Sequence, residues 1–207
     1  MSRVLWAADS PTSNAARNPS RRIVVLGDSI TAGYGLNAEQ AYPALLQQKI
    51  AAAGLPFTVV NAGVSGDTTA GGLRRLDWTL GRGADVLIVA LGGNDGLRGV
   101  APKQTEENLS AIIQRARMKF PAIKIIIAGM QMPENMGADF VAQFRALFPS
   151  VAKRGNAALV PFLLEGVGGV SALNQADLIH PTAAGQKRIA ENVWKILRPA
   201  LEAASPQ

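Results

Sequence analysis

Ser29 lies in the stretch "VVLGDSITAGYGL" (24–36), where a β-branched run ends abruptly in Gly-Asp-Ser. A serine hydroxyl is a poor nucleophile at neutral pH and needs an adjacent base. His180 is the sole histidine, so any imidazole chemistry must use it. Asp177 precedes it by three residues in "DLIHP". In a turn, that spacing lets both side chains point to one side. The carboxylate then fixes one imidazole nitrogen and leaves the other for the serine. Nucleophile, base and orienting acid are the parts of acyl transfer. Each has a plainer reading when taken alone. Gly-Asp-Ser is a turn whose Asp28 or Ser29 caps a helix, and a lone histidine before a proline is a surface residue at a helix start.

Acyl transfer also builds negative charge on a carbonyl oxygen, and aligned N–H donors there are often the largest catalytic contribution. Gly63 in "NAGVSGDTT" is a candidate backbone donor, since a missing side chain permits close approach. Asn94 in "GGND" is a candidate side-chain donor. The Ser29 N–H is the third. Read alone, both segments are simply turns.

The elements that must position these residues follow from the hydrophobic pattern. Apolar runs at 22–27, 57–64, 84–93, 124–130 and 158–162 read as strands. The third is apolar throughout, as expected when both faces are covered. Helical patterns occupy 42–54, 68–81, 105–120, 138–155 and 182–197. In the first, Leu45, Leu46, Ile50 and Ala53 share a face and Pro43 suits the first turn. The third has Leu109, Ile112, Ile113 and Ala116 on one stripe and acids in its first turn. The fourth should bend or break near Pro149, and Pro199 should follow the last. Strand–helix alternation implies right-handed crossovers and a parallel sheet between helical layers. We expect one three-layer α/β domain over 22–207, preceded by a flexible tail over 1–21. Ligands of such sheets bind beyond the carboxyl ends of the strands. Ser29, Gly63, Asn94, Asp177 and His180 all follow strands, so they converge on one rim.

Composition narrows the classes. The chain has 207 residues, 48% hydrophobic and 17% charged, ordinary for a globular protein. Net charge is +6, but residues 1–22 carry Arg3, Arg17, Arg21 and Arg22 against Asp9, so half of it sits there. No basic stripe interleaves with aromatics, which argues against a nucleic-acid partner. Zero cysteines exclude disulfides, thiolate metal sites and cysteine nucleophiles. One histidine excludes a multi-histidine zinc site, and no metal or cofactor is expected. No run approaches a transmembrane helix, so no stable membrane insertion is expected. The apolar patch near the start is too short for a signal-peptide core.

"GDSIT", "NAGVSGDTT", "GGND" and "DLIHP", in that order, resemble the four sequence blocks of the SGNH (GDSL) hydrolases. The family's named residues match here as Ser29, Gly63, Asn94 and His180, with Asp177 as the triad acid. The resemblance spans roughly residues 22–198. "GGNDGLRG", "LVPFLLEGVGG" and "DLIHPTAAGQ" look closer still to the bacterial thioesterase I / arylesterase / lysophospholipase group. That resemblance implies a flavodoxin-like α/β/α sandwich and broad, metal-free hydrolysis of esters and thioesters. It also implies small-molecule acyl substrates and export to the periplasm. No intact signal peptide is visible here, which leaves a cytoplasmic location open.

Other residues read as supports. Asp28 and Asp95 are expected to organise turns, and Asp67 to cap the helix after it. The segment 161–170 is either a wall of an acyl pocket or a core-covering loop. Met130, Met132 and Met136 either line that pocket or fill gaps. "GLRG" (96–99) is a candidate lip, with Arg98 either meeting an anionic substrate or, by default, a solvated surface residue. Two other functions fit less well. A carbohydrate O-deacetylase would use the same triad with a smaller pocket. A flavodoxin-like binding module would need a phosphate-cradling glycine motif, and neither G-x-G-x-x-G nor a P-loop pattern appears at a strand–helix junction.

Overall fold

The computed structural model describes residues 21–203. The tail expected over 1–21 lies outside the described residues, except Arg21, which already pairs in the first strand. Among these residues, five parallel strands form the sheet: β1 (Arg21–Gly27), β2 (Phe57–Gly63), β3 (Val86–Ala90), β4 (Lys124–Ala128) and β5 (Ala158–Val160). Their order is β2-β1-β3-β4-β5. The chain reverses winding direction between β1 and β3, and such a switch point opens a crevice at the carboxyl ends. Register brings Gly27 opposite both Gly63 and Ala90. The ends that precede Ser29, Val64 and the 91–94 turn are therefore adjacent.

Among the described residues, seven α-helices flank the sheet: α1 (Ser29–Ala32), α2 (Tyr42–Ala52), α3 (Thr69–Thr79), α4 (Gly93–Leu97), α5 (Pro102–Lys119), α6 (Ala138–Arg154) and α7 (Ala183–Glu202). α2 packs on α7 in one layer, and α3, α5 and α6 pack in series in the other. β3 is buried along its whole length, as are Ile23–Leu26 of β1 and Ile125–Ala128 of β4. Apolar β-branched runs with no polar alternation fit this two-sided burial.

The structure departs from the sequence expectations at several element ends. β3 stops at Ala90 instead of 93, because Gly92 takes φ 119, a conformation that favours glycine, and turns the chain into α4. α5 begins at Pro102, whose fixed φ suits a first turn. Glu106 and Glu107 thus fall beyond the first turn, which holds no acid. α6 runs unbroken through Pro149, with Phe148, Val151 and Ala152 buried around it. α7 continues through Pro199 to Glu202, since Leu201 is buried and Lys124 Nζ donates to the Ala200 carbonyl at 2.7 Å. Packing outweighs proline's local preference in both helices. Ala53 is exposed, just beyond the last turn of α2, whose buried face is Tyr42, Pro43, Leu46 and Ile50.

Gln186 couples α7 to the two elements after β1. It is 1% exposed. Its Oε1 accepts the Tyr42 N–H at 2.9 Å, and its Nε2 donates to the Ile30 carbonyl at 2.9 Å. Leucine at this position would leave both backbone groups buried and unpaired, at about 1–3 kcal/mol each. Gln186→Leu is expected to lose roughly 2–6 kcal/mol of stability in urea unfolding. A loss below about 1 kcal/mol would mean that water replaces the amide.

Candidate active site

β1 delivers Ser29 to the rim through a tight turn. Asp28 is the N-cap of α1, and its Oδ1 accepts the Ile30 N–H at 3.0 Å. Ser29 is the first residue of α1, where N–H groups have no intrahelical acceptor. Its hydroxyl lies 3.0 Å from His180 Nε2. His180 Nδ1 lies 2.6 Å from Asp177 Oδ2. Asp177 Oδ1 accepts the N–H groups of Ile179 and His180, each at 2.9 Å. Acid, imidazole and hydroxyl thus form one continuous chain, with Nδ1–H donating to the carboxylate and Nε2 left to accept from the serine.

The turn carrying Asp177 and His180 is strained and braced. Leu178 has φ 58, a left-handed conformation that costs a non-glycine residue about 1–2 kcal/mol. The Gln175 N–H donates to the His180 carbonyl at 2.7 Å. Gln175 Nε2 donates to the carbonyls of Tyr34 at 2.8 Å and Pro181 at 3.1 Å. The Tyr34 ring packs against the imidazole, with centroids 4.4 Å apart. Gln175 and Tyr34 were missed in the sequence. Neither has a periodicity or motif of its own, although an aromatic just after the serine turn was a usable signal.

The oxyanion candidates stand on neighbouring strand ends. Asn94 Nδ2 donates to the Asp67 carbonyl at 2.9 Å, which leaves its second hydrogen free. Gly63 packs so tightly on α1 that a Cβ there would collide with the Ala32 backbone. Its N–H is already engaged, donating to Asn61 Oδ1 at 2.9 Å, while Asn61 Nδ2 donates to the Thr31 carbonyl. Asp67 does not cap α3. Thr68 does, accepting the Gly71 N–H, and Asp67 pairs with Arg75 instead. Asp95 is a buried organiser that accepts the Thr69 N–H at 2.9 Å and also bonds the Thr69 hydroxyl.

Ser29 and His180 open onto a cavity of about 510 Å³. Leu97, Met130, Met132, Phe162, Leu164, Leu178 and Ile179 supply its apolar lining, beside Gly168 and Gly169. The 161–170 segment both lines this cavity and covers the core. Phe162 and Leu164 face the cavity, while Leu163 and Val167 are buried in the core. Met136 packs on the core and does not line the cavity. Arg98 is not among the residues lining the cavity and donates to the Gly66 carbonyl at 3.0 Å. Among the described residues, no three carboxylate or imidazole side chains gather as a metal site, and no helix is long and apolar enough to cross a membrane.

The two aspartates beside the catalytic candidates are shifted in opposite directions. Backbone N–H bonding from His180, then the imidazole and the Ile179 N–H, hold Asp177 down at about 2. Its stabilising contribution is complete above the ordinary 3.8 and lost as pH falls towards 2. Asp28 is 4% exposed, and burial pushes it from 3.8 up to about 6 despite the Ile30 N–H. The folded state holds this proton more tightly than the unfolded chain. Stability therefore falls as pH rises from about 4 to 6, by roughly 3 kcal/mol at about 1.36 kcal/mol per unit. Asp28→Asn keeps a capping oxygen and removes the titration. It is expected to match wild type near pH 4 and exceed it in urea midpoint at pH 7. Parallel pH dependences in the two proteins would overturn the assignment.

Known proteins share this arrangement of chain and fold. The profile of the GDSL-like Lipase/Acylhydrolase family matches residues 25–188. Esterase TesA of Pseudomonas aeruginosa is 47% identical over 183 residues, covering 88% of this chain and 90% of that protein. Thioesterase 1/protease 1/lysophospholipase L1 of Escherichia coli K12 is 39% identical over 178 residues, covering 86% and 83%. A crystal structure of TesA superposes with a TM-score of 0.84 at 46% identity, covering 87% of this chain and all of that one. With sequence and fold agreeing over this much of its length, the chain belongs to the GDSL-like lipase/acylhydrolase family.

Proposed function

We propose that this protein is a serine esterase that hydrolyses aryl and acyl esters, together with acyl thioesters and lysophospholipids, through an acyl-enzyme on Ser29. The observation that carries the reading is the Asp177–His180–Ser29 relay, at 2.6 and 3.0 Å, opening onto an apolar cavity. The names of the TesA, arylesterase and thioesterase relatives support the substrate classes. The cavity suits an uncharged acyl chain, since Arg98 is not among its described lining residues and the one carboxylate among them, Asp28, is buried.

His180 Nε2 takes the Ser29 proton as Oγ attacks the carbonyl carbon. Asp177 stabilises the imidazolium and stays ionised. The tetrahedral oxyanion is held by the Ser29 N–H, the free Asn94 amide hydrogen and the Gly63 N–H. His180 then protonates the leaving alkoxide or thiolate, and the C–O or C–S bond breaks. Water, deprotonated by His180, attacks the acyl-enzyme. A second tetrahedral intermediate collapses to free acid and restored Ser29. The resembled group is usually exported, and we extend the proposal to a periplasmic or secreted site of action. Release of the activity by osmotic shock of the native host would support that site, and retention with the cytoplasm would refute it.

The decisive test is hydrolysis of p-nitrophenyl esters, acetyl to long acyl, by wild type, Ser29→Ala and Asp177→Asn. Ser29→Ala should lose turnover by at least about 10³-fold with an unchanged circular dichroism spectrum. Asp177→Asn should fall by about 10²–10⁴-fold, since the wrong tautomer is then favoured. Preference for medium or long chains matches the cavity. Cleavage confined to acetyl esters would point to a deacetylase, and full turnover by Ser29→Ala would end the acyl-enzyme reading.

A further inference from the structure

Arg75 takes no part in the chemistry above, yet it touches two of the segments that carry it. Its Nε donates to Asp67 Oδ2 at 2.7 Å, and its Nη2 donates to the Gly27 carbonyl at 3.0 Å. The two side chains are only 19% and 11% exposed, so this is a sheltered pair. Gly27 ends β1 and leads directly into Asp28-Ser29. Its carbonyl also accepts the Val64 N–H at 3.0 Å, so both lone pairs are used and the Gly27–Asp28 peptide plane is fixed. Asp67, in turn, holds Asn94 through its backbone carbonyl. One planar cation thus fastens the strand end behind the nucleophile to the loop residue that aims the Asn94 amide.

We propose that Arg75 is a positioning residue that sets the separation and angle between Ser29 Oγ and the Asn94 amide; this rests on the catalytic reading above. The guanidinium suits the task because it presents donors in fixed, divergent directions. A lysine ammonium on a flexible stem can satisfy either Asp67 or Gly27, but it does not lock them to each other. The α3 sequence places Arg75 on a part-buried helix face, with its Nη1 also 3.5 Å from the Thr79 hydroxyl one turn on. A misplacement of about 1 Å in such a constellation costs about 10²-fold in rate. An arginine that merely stabilised the fold would lower melting temperature and leave turnover of the folded fraction intact.

The experiment is a mutant cycle of Arg75→Met and Asn94→Ala, with Arg75→Lys alongside and Ser29→Ala as control, using p-nitrophenyl butyrate. Arg75→Met should lower kcat by about 10–10²-fold with KM within about twofold. Arg75→Lys should fall between it and wild type. Added guanidinium, far below denaturing concentration, should restore part of the Arg75→Met activity. In the Asn94→Ala background, Arg75→Met should cost less than about threefold, because the group it aims is gone. Multiplying losses, or a change in melting temperature without a change in kcat, would overturn the proposal. Should Arg75→Met not fold, Asp67→Asn, which keeps the backbone carbonyl, and Arg75→Lys carry the same cycle. If Ser29→Ala retains turnover, the catalytic reading fails. If Ser29 is essential and the losses multiply, only the role of Arg75 fails.

Discussion

A hydrogen bond between residues 151 positions apart, Ser29 and His180, is the contact on which this site depends. Its two ends arrive by different routes. Ser29 rides on β1, which sits inside the sheet with Ile23–Leu26 wholly buried, so its position is set by the core. His180 sits on a loop, and a loop alone would not hold a hydroxyl at 3.0 Å. The loop is therefore pinned at both margins. Asn174, buried, donates to the carbonyls of Val167 and Val170, and Thr182 caps α7. Gln186, one turn into α7, then bonds α1 and α2 directly. Amides in place of apolar side chains at these points give direction where packing alone gives only proximity.

Electrostatics divides labour between Asp177 and Asp28. Asp177 is partly exposed, so water lowers the cost of its charge, and three N–H groups address that charge. The left-handed Leu178 is the cost of aiming two backbone N–H groups at one oxygen. Asp28 is the converse. It is buried under the serine turn, where desolvation outweighs the Ile30 N–H and its own backbone N–H, and its ionised form is disfavoured. One carboxylate stays anionic, as the proposed chemistry needs if it is to steady an imidazolium. The other shapes the turn at some expense in stability near neutral pH. Burial and the number of donors, not residue type, separate them.

The sheet was legible because apolar β-branched runs have few other uses, and the alternation of strands and helices leaves few topologies. The meeting of Ser29, Asp177 and His180 was legible because the serine follows a strand end and the other two share one short turn. What the sequence hid was decided by contacts distant along the chain. Pro149 and Pro199 sit within helices because neighbouring buried side chains outweigh a lost N–H. α4 forms because Gly92 turns, although "LGGND" looks like the end of a strand. Asp67 has the type and place of a cap, but Thr68 takes that role and Arg75, eight residues on, claims the carboxylate. Gln175 and Gln186 carry no local pattern, since their bonds to Tyr34, Tyr42 and Ile30 reach more than a hundred residues along the chain.

Under the proposed chemistry the oxyanion donors work in different ways. Asn94 is held by Asp67, and its second hydrogen is aimed before substrate arrives, so little reorganisation is needed at the moment of reaction. Gly63 starts with its N–H on Asn61 Oδ1, a neutral acceptor. A substrate carbonyl is also a neutral acceptor, so exchanging one for the other gains little in the ground state. An oxyanion is different, because hydrogen bonds to a charged acceptor are roughly twice as strong. The exchange becomes favourable as charge develops on the carbonyl oxygen. Gly63 would then contribute to the transition state and not to substrate affinity, which is the kind of interaction that raises kcat. Asn61 can yield Oδ1 without leaving its place, because its Nδ2 remains on the Thr31 carbonyl.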